Sequence, residues 1–116
     1  MPPEDRTRLL HMIEATRTAI EFVSGRARAD LDADRMLLFA LVRAIEIIGE
    51  AASKLSEGTR NTARGIPWPL IVSMRNRLIH AYFDIDRDIL WKTATDELPA
   101  LLPQLEAMTG TSSSAS

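Results

Sequence analysis

Met36-Leu37-Leu38-Phe39-Ala40-Leu41-Val42 sets seven apolar residues in succession, and Ile45, Ile47 and Ile48 follow closely. Upstream, Asp30-Leu31-Asp32-Ala33-Asp34 offers N-cap candidates, so the run reads as a helix reaching Leu55, with Gly58 as its stop. A helix apolar around most of its circumference must be covered on most sides. Two arrangements could supply that cover. The other helices of the chain could wrap it, or a second copy could lie against it. The apolar surface exceeds what the neighbouring helices of a 116-residue bundle comfortably cover, so a homodimer is the expected outlet.

The rest of the chain also reads as helical, because no segment alternates apolar and polar residues with β-branched enrichment. A first helix is expected from Glu4 to Val23, with Leu9, Ile13, Ile20 and Val23 on one stripe and Gly25 ending it. Gly65-Ile66-Pro67-Trp68-Pro69 breaks the chain and starts a third helix, running from Pro67 to Tyr82. Phe83-Asp84-Ile85-Asp86 forms the next turn, with Asp86 as N-cap of a fourth helix that carries Ile89, Leu90, Trp91 and Leu98. Pro99 and Pro103 predict a bend near Glu97 and a short final piece to Met108. The expected fold is all-α: an antiparallel bundle of four to five helices over residues 1–108, with 109–116 a disordered tail.

Composition narrows the function classes. The absence of cysteine excludes disulfide scaffolds, thiolate zinc sites and cysteine nucleophiles. No apolar run reaches the roughly 18 residues of a membrane span, and Met1-Pro2-Pro3-Glu4-Asp5-Arg6 does not read as a secretory signal. A cytoplasmic location without membrane association is the expectation. The net charge of −2 argues against a general nucleic-acid binder, but the charge is uneven. Between Glu57 and Asp84 no acidic residue occurs, and Arg60, Arg64, Arg75 and Arg77 all fall there. Such a segment can steer a polyanion, or its arginines can simply solvate a helix face.

Within it, Arg75-Asn76-Arg77-Leu78-Ile79-His80-Ala81-Tyr82 joins a fixed cation, an imidazole and a phenol. Those groups suit phosphate-ester chemistry without a metal. At about 100° per residue, an unbroken helix sets Arg75 and His80 about 140° apart and returns Tyr82 to within about 20° of Arg75. Asn76, Arg77 and His80 then share a polar face, while Arg75 lies among Ile71, Leu78 and Ile79. Arg75 and His80 cannot approach one phosphate from such a helix. Either the helix is distorted at the motif, or two copies of it meet across a twofold axis.

Ser73 to Phe83 resembles the arginine-x4-histidine-x-tyrosine signature of HepT-like toxins, a branch of the HEPN superfamily. Ile45-Glu46-Ile47-Ile48-Gly49-Glu50-Ala51-Ala52 resembles the family's second helix, and Ile66-Pro67-Trp68 its lead-in to the motif. Asp88-Ile89-Leu90-Trp91 and Asp96-Glu97-Leu98-Pro99 resemble its last helix, so the likeness covers residues 5 to 108. It implies a dimeric, metal-independent endoribonuclease toxin of a type VII-like toxin–antitoxin pair, needing no cofactor and acting on RNA. The implied partner is an MntA-like minimal nucleotidyltransferase antitoxin, which uses ATP to attach AMP to the motif tyrosine, here Tyr82.

The resemblance implies a catalytic role for Arg75 on the scissile phosphate and for His80 in proton transfer, with Asn76 orienting one or the other. Arg77 and Arg64 are the candidate RNA contacts. Each residue also has a plainer reading. Arg75 could be an ion-pair partner of Glu46 or Glu50, His80 a surface histidine, and Tyr82, Trp68 and Trp91 packing residues. Glu50 reads as a paired acid on the buried second helix, and His11 as a partly exposed helix residue. The alternative function is a non-catalytic helical module that binds a nucleotidyltransferase partner or a nucleotide.

Overall fold

A computed structural model of the chain describes residues 1–81 and 84–110. Expectations that fall on Tyr82, on Phe83 and on the tail beyond Gly110 lie outside the described residues. The first helices are α1 (Pro3–Val23), a short α2 (Asp30–Ala33) and the long α3 (Arg35–Ser53). After them come α4 (Glu57–Asn61), α5 (Trp68–Val72) and α6 (Met74–Leu78). A small antiparallel hairpin follows, β1 (Ile79–Ala81) with β2 (Asp84–Ile85), and pairs Ile79 with Ile85. The chain closes with α7 (Arg87–Lys92), a π-helical turn (Thr93–Glu97) and α8 (Leu98–Thr109). The fold is all-α apart from that hairpin. Among the described residues no helix is long and apolar enough to cross a membrane.

α1 packs against α3 and α8, and α3 also receives α5 and α6. Their shared core includes Leu9, Met12, Ile13, Leu41, Ile45, Ile48, Leu78, Leu90, Leu98 and Leu105, each almost fully buried. α3 is nevertheless not wrapped all round. Met36 is 84% exposed and Phe39 45% exposed, so a strip of the apolar run remains open.

Several boundaries differ from expectation for identifiable reasons. The expected second helix is α3, and of its N-cap candidates Asp34 is the one that serves, with extended backbone and a side chain that accepts from the Leu37 N–H at 3.1 Å. The candidates before it form the separate short α2 instead. Gly58 does not end that helix but sits in α4, which Ser56 caps by accepting from the Thr59 N–H. The buried Asp5 carboxylate anchors this cap, accepting at 2.6 Å from both Ser56 Oγ and Thr59 Oγ1. Pro67 precedes α5 rather than opening it, and Trp68 is buried with its indole N–H donating to Arg60 O and Ala63 O. Gly25 leaves α1 with φ +74, the left-handed turn expected there.

The largest correction concerns the third helix. It is not continuous from Pro67 to Tyr82 but interrupts at Ser73 and ends at Leu78. Ile79 is extended, with φ −111 and ψ 106, and the Leu78 carbonyl accepts from the Asp86 N–H at 2.7 Å. A carbonyl orphaned at the helix end is thus satisfied across the hairpin. Further on, Asp86 caps α7 as expected, accepting from the Ile89 N–H at 3.0 Å. Near Glu97, the expected place of a bend, the helix takes a π-helical turn: Pro99 has no N–H to continue the helical ladder, and the Leu98 N–H reaches back to Thr93 O, while Pro103 lies inside α8.

Candidate ribonuclease site

Ending α6 at Leu78 brings the motif's two principal groups together. Buried Leu78 ties the helix end to the core, and Arg75, one turn earlier, projects outward. Beyond it the extended backbone of β1 carries His80. Ile79 and Ile85, paired across the hairpin, form the apolar floor with Val42 of α3. The result is an open cleft of about 510 Å³ lined by Phe39, Val42, Glu46, Arg75, Ile79, His80 and Ile85. A distorted segment, one of the two solutions open at the level of sequence, thus puts Arg75 and His80 on one cleft within one chain.

Arg75 is 53% exposed rather than sunk in an apolar face, and its Nε donates to Glu46 Oε2 at 2.8 Å. Glu46 is 24% exposed, and its other oxygen stands 3.8 Å from Arg43 Nη1. His80 is 52% exposed, with Nε2 3.9 Å from Asp86 Oδ2. That spacing is too long for a hydrogen bond but close enough for electrostatic influence. Asp86 therefore caps α7 with one oxygen and faces the histidine with the other.

The remaining candidates are not in this cleft. Asn76 is exposed on α6 and makes no side-chain hydrogen bond among the described residues, so the expected contact with His80 is not formed. Arg77 lines a separate apolar cleft with Leu70, Met74 and Leu98, donates to Leu70 O at 3.4 Å and pairs with Glu97 at 3.6 Å. Arg64 is exposed in the turn between α4 and α5. Glu50 is exposed rather than buried and faces Arg43, not Arg75. His11, exposed on α1, borders grooves between α1 and α3. Among the described residues no group of three or more His, Cys, Asp or Glu side chains could hold a metal ion.

Sequence reasoning undervalued Glu46, Phe39, Ile85 and the second task of Asp86. One signal was available: an acid between Ile45 and Ile47, on a helix this apolar, needs a partner.

Comparison with known proteins sets this geometry in a family. The family described as "Ribonuclease HepT-like" matches residues 12–108, most of the chain and all of the cleft. The chain belongs to the HepT-like family. A relative from Thermococcus cleftensis named "Probable ribonuclease HepT" is 37% identical over 95 residues, covering 82% of this chain and 86% of its own length. A protein of Caldanaerobacter subterraneus subsp. tengcongensis with a provisional RNase name is 38% identical over 101 residues, 87% of this chain and 90% of its own. One from Methanocaldococcus jannaschii, named in the same way, is 34% identical over 98 residues, 84% and 90% of the two lengths. No solved structure matches the chain significantly. The likeness to this HepT-like group spans residues 12–108, not the motif alone.

Proposed function

We propose that this protein is a metal-independent endoribonuclease toxin in which Arg75 and His80 cleave RNA. The observation that carries the reading is their convergence on one cleft, in a chain whose relatives bear ribonuclease names. RNA brings its own nucleophile. The 2′-hydroxyl attacks the adjacent phosphorus as its proton passes to a base, and the 5′-oxygen leaves as it takes a proton from an acid. The products are a 2′,3′-cyclic phosphate and a 5′-hydroxyl. Imidazole suits either proton transfer, and a guanidinium suits the charge that builds on the phosphoryl oxygens. Each cleft holds one histidine, whereas the reaction uses a base and an acid.

A homodimer resolves that count by supplying the second histidine. The open strip of α3 supports this, because Phe39 borders the cleft and Met36 lies one turn before it. Asn76, exposed on α6, would orient the phosphate rather than His80. Arg64 and Arg77 would contact RNA outside the cleft that holds Arg75 and His80.

Control falls to Tyr82, two residues after His80. In the reading that the resemblance supports, an MntA-like nucleotidyltransferase directs the Tyr82 hydroxyl onto the α-phosphate of ATP, and pyrophosphate leaves. The attached AMP adds a negative charge and an adenosine two residues from His80, repelling and obstructing RNA.

The test compares wild type with His80→Ala on end-labelled RNA. Loss of about 10²–10⁴-fold in rate, with cyclic-phosphate ends from wild type only, is the expected result. Equal cleavage by both proteins would refute the assignment. Intact mass after co-expression with the nucleotidyltransferase should rise in multiples of AMP, and Tyr82→Phe should abolish the increments.

A further inference from the structure

Glu46 is the one acidic side chain among the residues lining the cleft that holds Arg75 and His80. A carboxylate there repels a phosphate and offsets the arginine's charge, so its presence calls for a reason. Its geometry supplies one. Glu46 Oε2 takes the Nε–H of Arg75 at 2.8 Å, and the guanidinium makes no other hydrogen bond or ion pair among the described residues. A guanidinium has five N–H groups in a rigid plane, one on Nε and four on the terminal nitrogens. Holding Nε fixes that plane and leaves the Nη1–Nη2 end, the edge that grips two phosphate oxygens side by side.

Glu46 is also the steadier partner. It rises from α3, the long central helix, and is far less exposed than the arginine. Arg43, on the same helix, stands 3.8 Å from Glu46 Oε1 and 3.8 Å from Glu50 Oε1, bracing the acid from behind. Arg75, by contrast, sits on the five-residue α6, next to the hairpin. We infer that Glu46 is a positioning residue for RNA cleavage: it clamps the Nε edge of Arg75 so that the terminal edge meets the scissile phosphate. This rests on the ribonuclease reading and adds to it the residue that aims the arginine.

The test measures kcat and KM for RNA cleavage by wild type, Glu46→Ala, Glu46→Gln, Arg75→Ala and the Glu46→Ala/Arg75→Ala double variant. Glu46→Ala should lower kcat about 10- to 100-fold, the scale of a misplaced catalytic group, with little change in KM. Glu46→Gln keeps an oxygen that accepts from Nε and should recover most of that loss. In the Arg75→Ala background, Glu46→Ala should cost nothing further, because the group it aims is gone. Three results would overturn the proposal: unchanged kcat in Glu46→Ala, the same loss with and without Arg75, or a fall in melting temperature alone.

A wild type that does not cut RNA would fail the ribonuclease reading instead. The clamp is then judged from binding of a non-cleavable 2′-O-methyl RNA. Glu46→Gln and Glu46→Ala remove the same charge, so tighter binding by the glutamine variant supports the clamp and equal binding refutes it.

Discussion

Gly49 faces α5 from the last turns of α3, and a methyl group there gives a sharp test of how the motif is seated. A Cβ built on Gly49 would stand 3.4 Å from both Ile71 O and Val72 O, the carbonyls at the end of α5 just before the motif helix. Carbon–oxygen contacts of about 3.3–3.6 Å are ordinary in packed proteins, so alanine fits with adjustments of a few tenths of an ångström at most. Against that small cost stands the glycine penalty, about 1 kcal/mol relative to alanine inside a helix. The balance favours Gly49→Ala by about 0.5–1 kcal/mol, a rise in Tm of about 2–5 °C for a domain of this size. Gly49→Val adds two further carbons toward the same carbonyls. Overpacking of that kind costs about 1–3 kcal/mol, and the displacement would carry Arg75 away from Glu46.

Thermal melting followed by circular dichroism, with RNA cleavage measured on the same samples, reads both predictions. Alanine should keep cleavage within about threefold of wild type, a change of less than about 1 kcal/mol in barrier, while valine should lose Tm and rate together. A Gly49→Ala protein that melts several degrees below wild type would refute the reasoning, since α5 would then lie closer to α3 than 3.4 Å contacts allow.

Other outcomes follow from single features. Leu78, fully buried at the end of the motif helix, should cost about 3–5 kcal/mol as Leu78→Ala, measured by urea unfolding, and should reduce cleavage even where the variant is folded. If the proposed homodimer forms on the open strip of α3, Met36→Asp should shift sedimentation toward monomer, and an unshifted sedimentation coefficient would refute an interface there. Hydrogen bonds from Ser56 and Thr59, with Arg8 nearby, hold the Asp5 carboxyl below its usual range despite its burial. Its contribution to stability is therefore complete above the ordinary carboxylate range, near about pH 4, and is lost as pH falls through the lowered value. The stability gap between wild type and Asp5→Asn should accordingly be widest near neutrality and close in acid; a gap that widens in acid would contradict this.

What could be read from the sequence was local. Gly25 turns α1 and Asp86 caps α7, because each device acts through its own backbone. What could not be read was set by distant partners. Nothing between Ile71 and Ile79 breaks a helix: there is no proline or glycine, and Ile71, Met74 and Leu78 keep helical spacing. The helix ends because the Asp86 N–H takes the Leu78 carbonyl and because Ile85 is buried against the motif segment. α4 was likewise invisible, since its cap depends on Asp5, far back in α1. Helical angles placed Arg77 with His80, but the true backbone sends Arg77 to Glu97 and leaves His80 with Arg75.

The switch from helix to extended chain at Leu78 has a consequence for the spacing of the motif. A helix advances about 1.5 Å per residue and tolerates an added residue by turning about 100°. An extended chain advances about 3.3 Å and sends successive side chains to opposite sides. One residue inserted between Leu78 and His80 would therefore turn the imidazole away from Arg75 altogether, without loss of any chemical group. The interval between the two residues works as a mechanical gauge, indifferent to most of what fills it and intolerant of a change in its length.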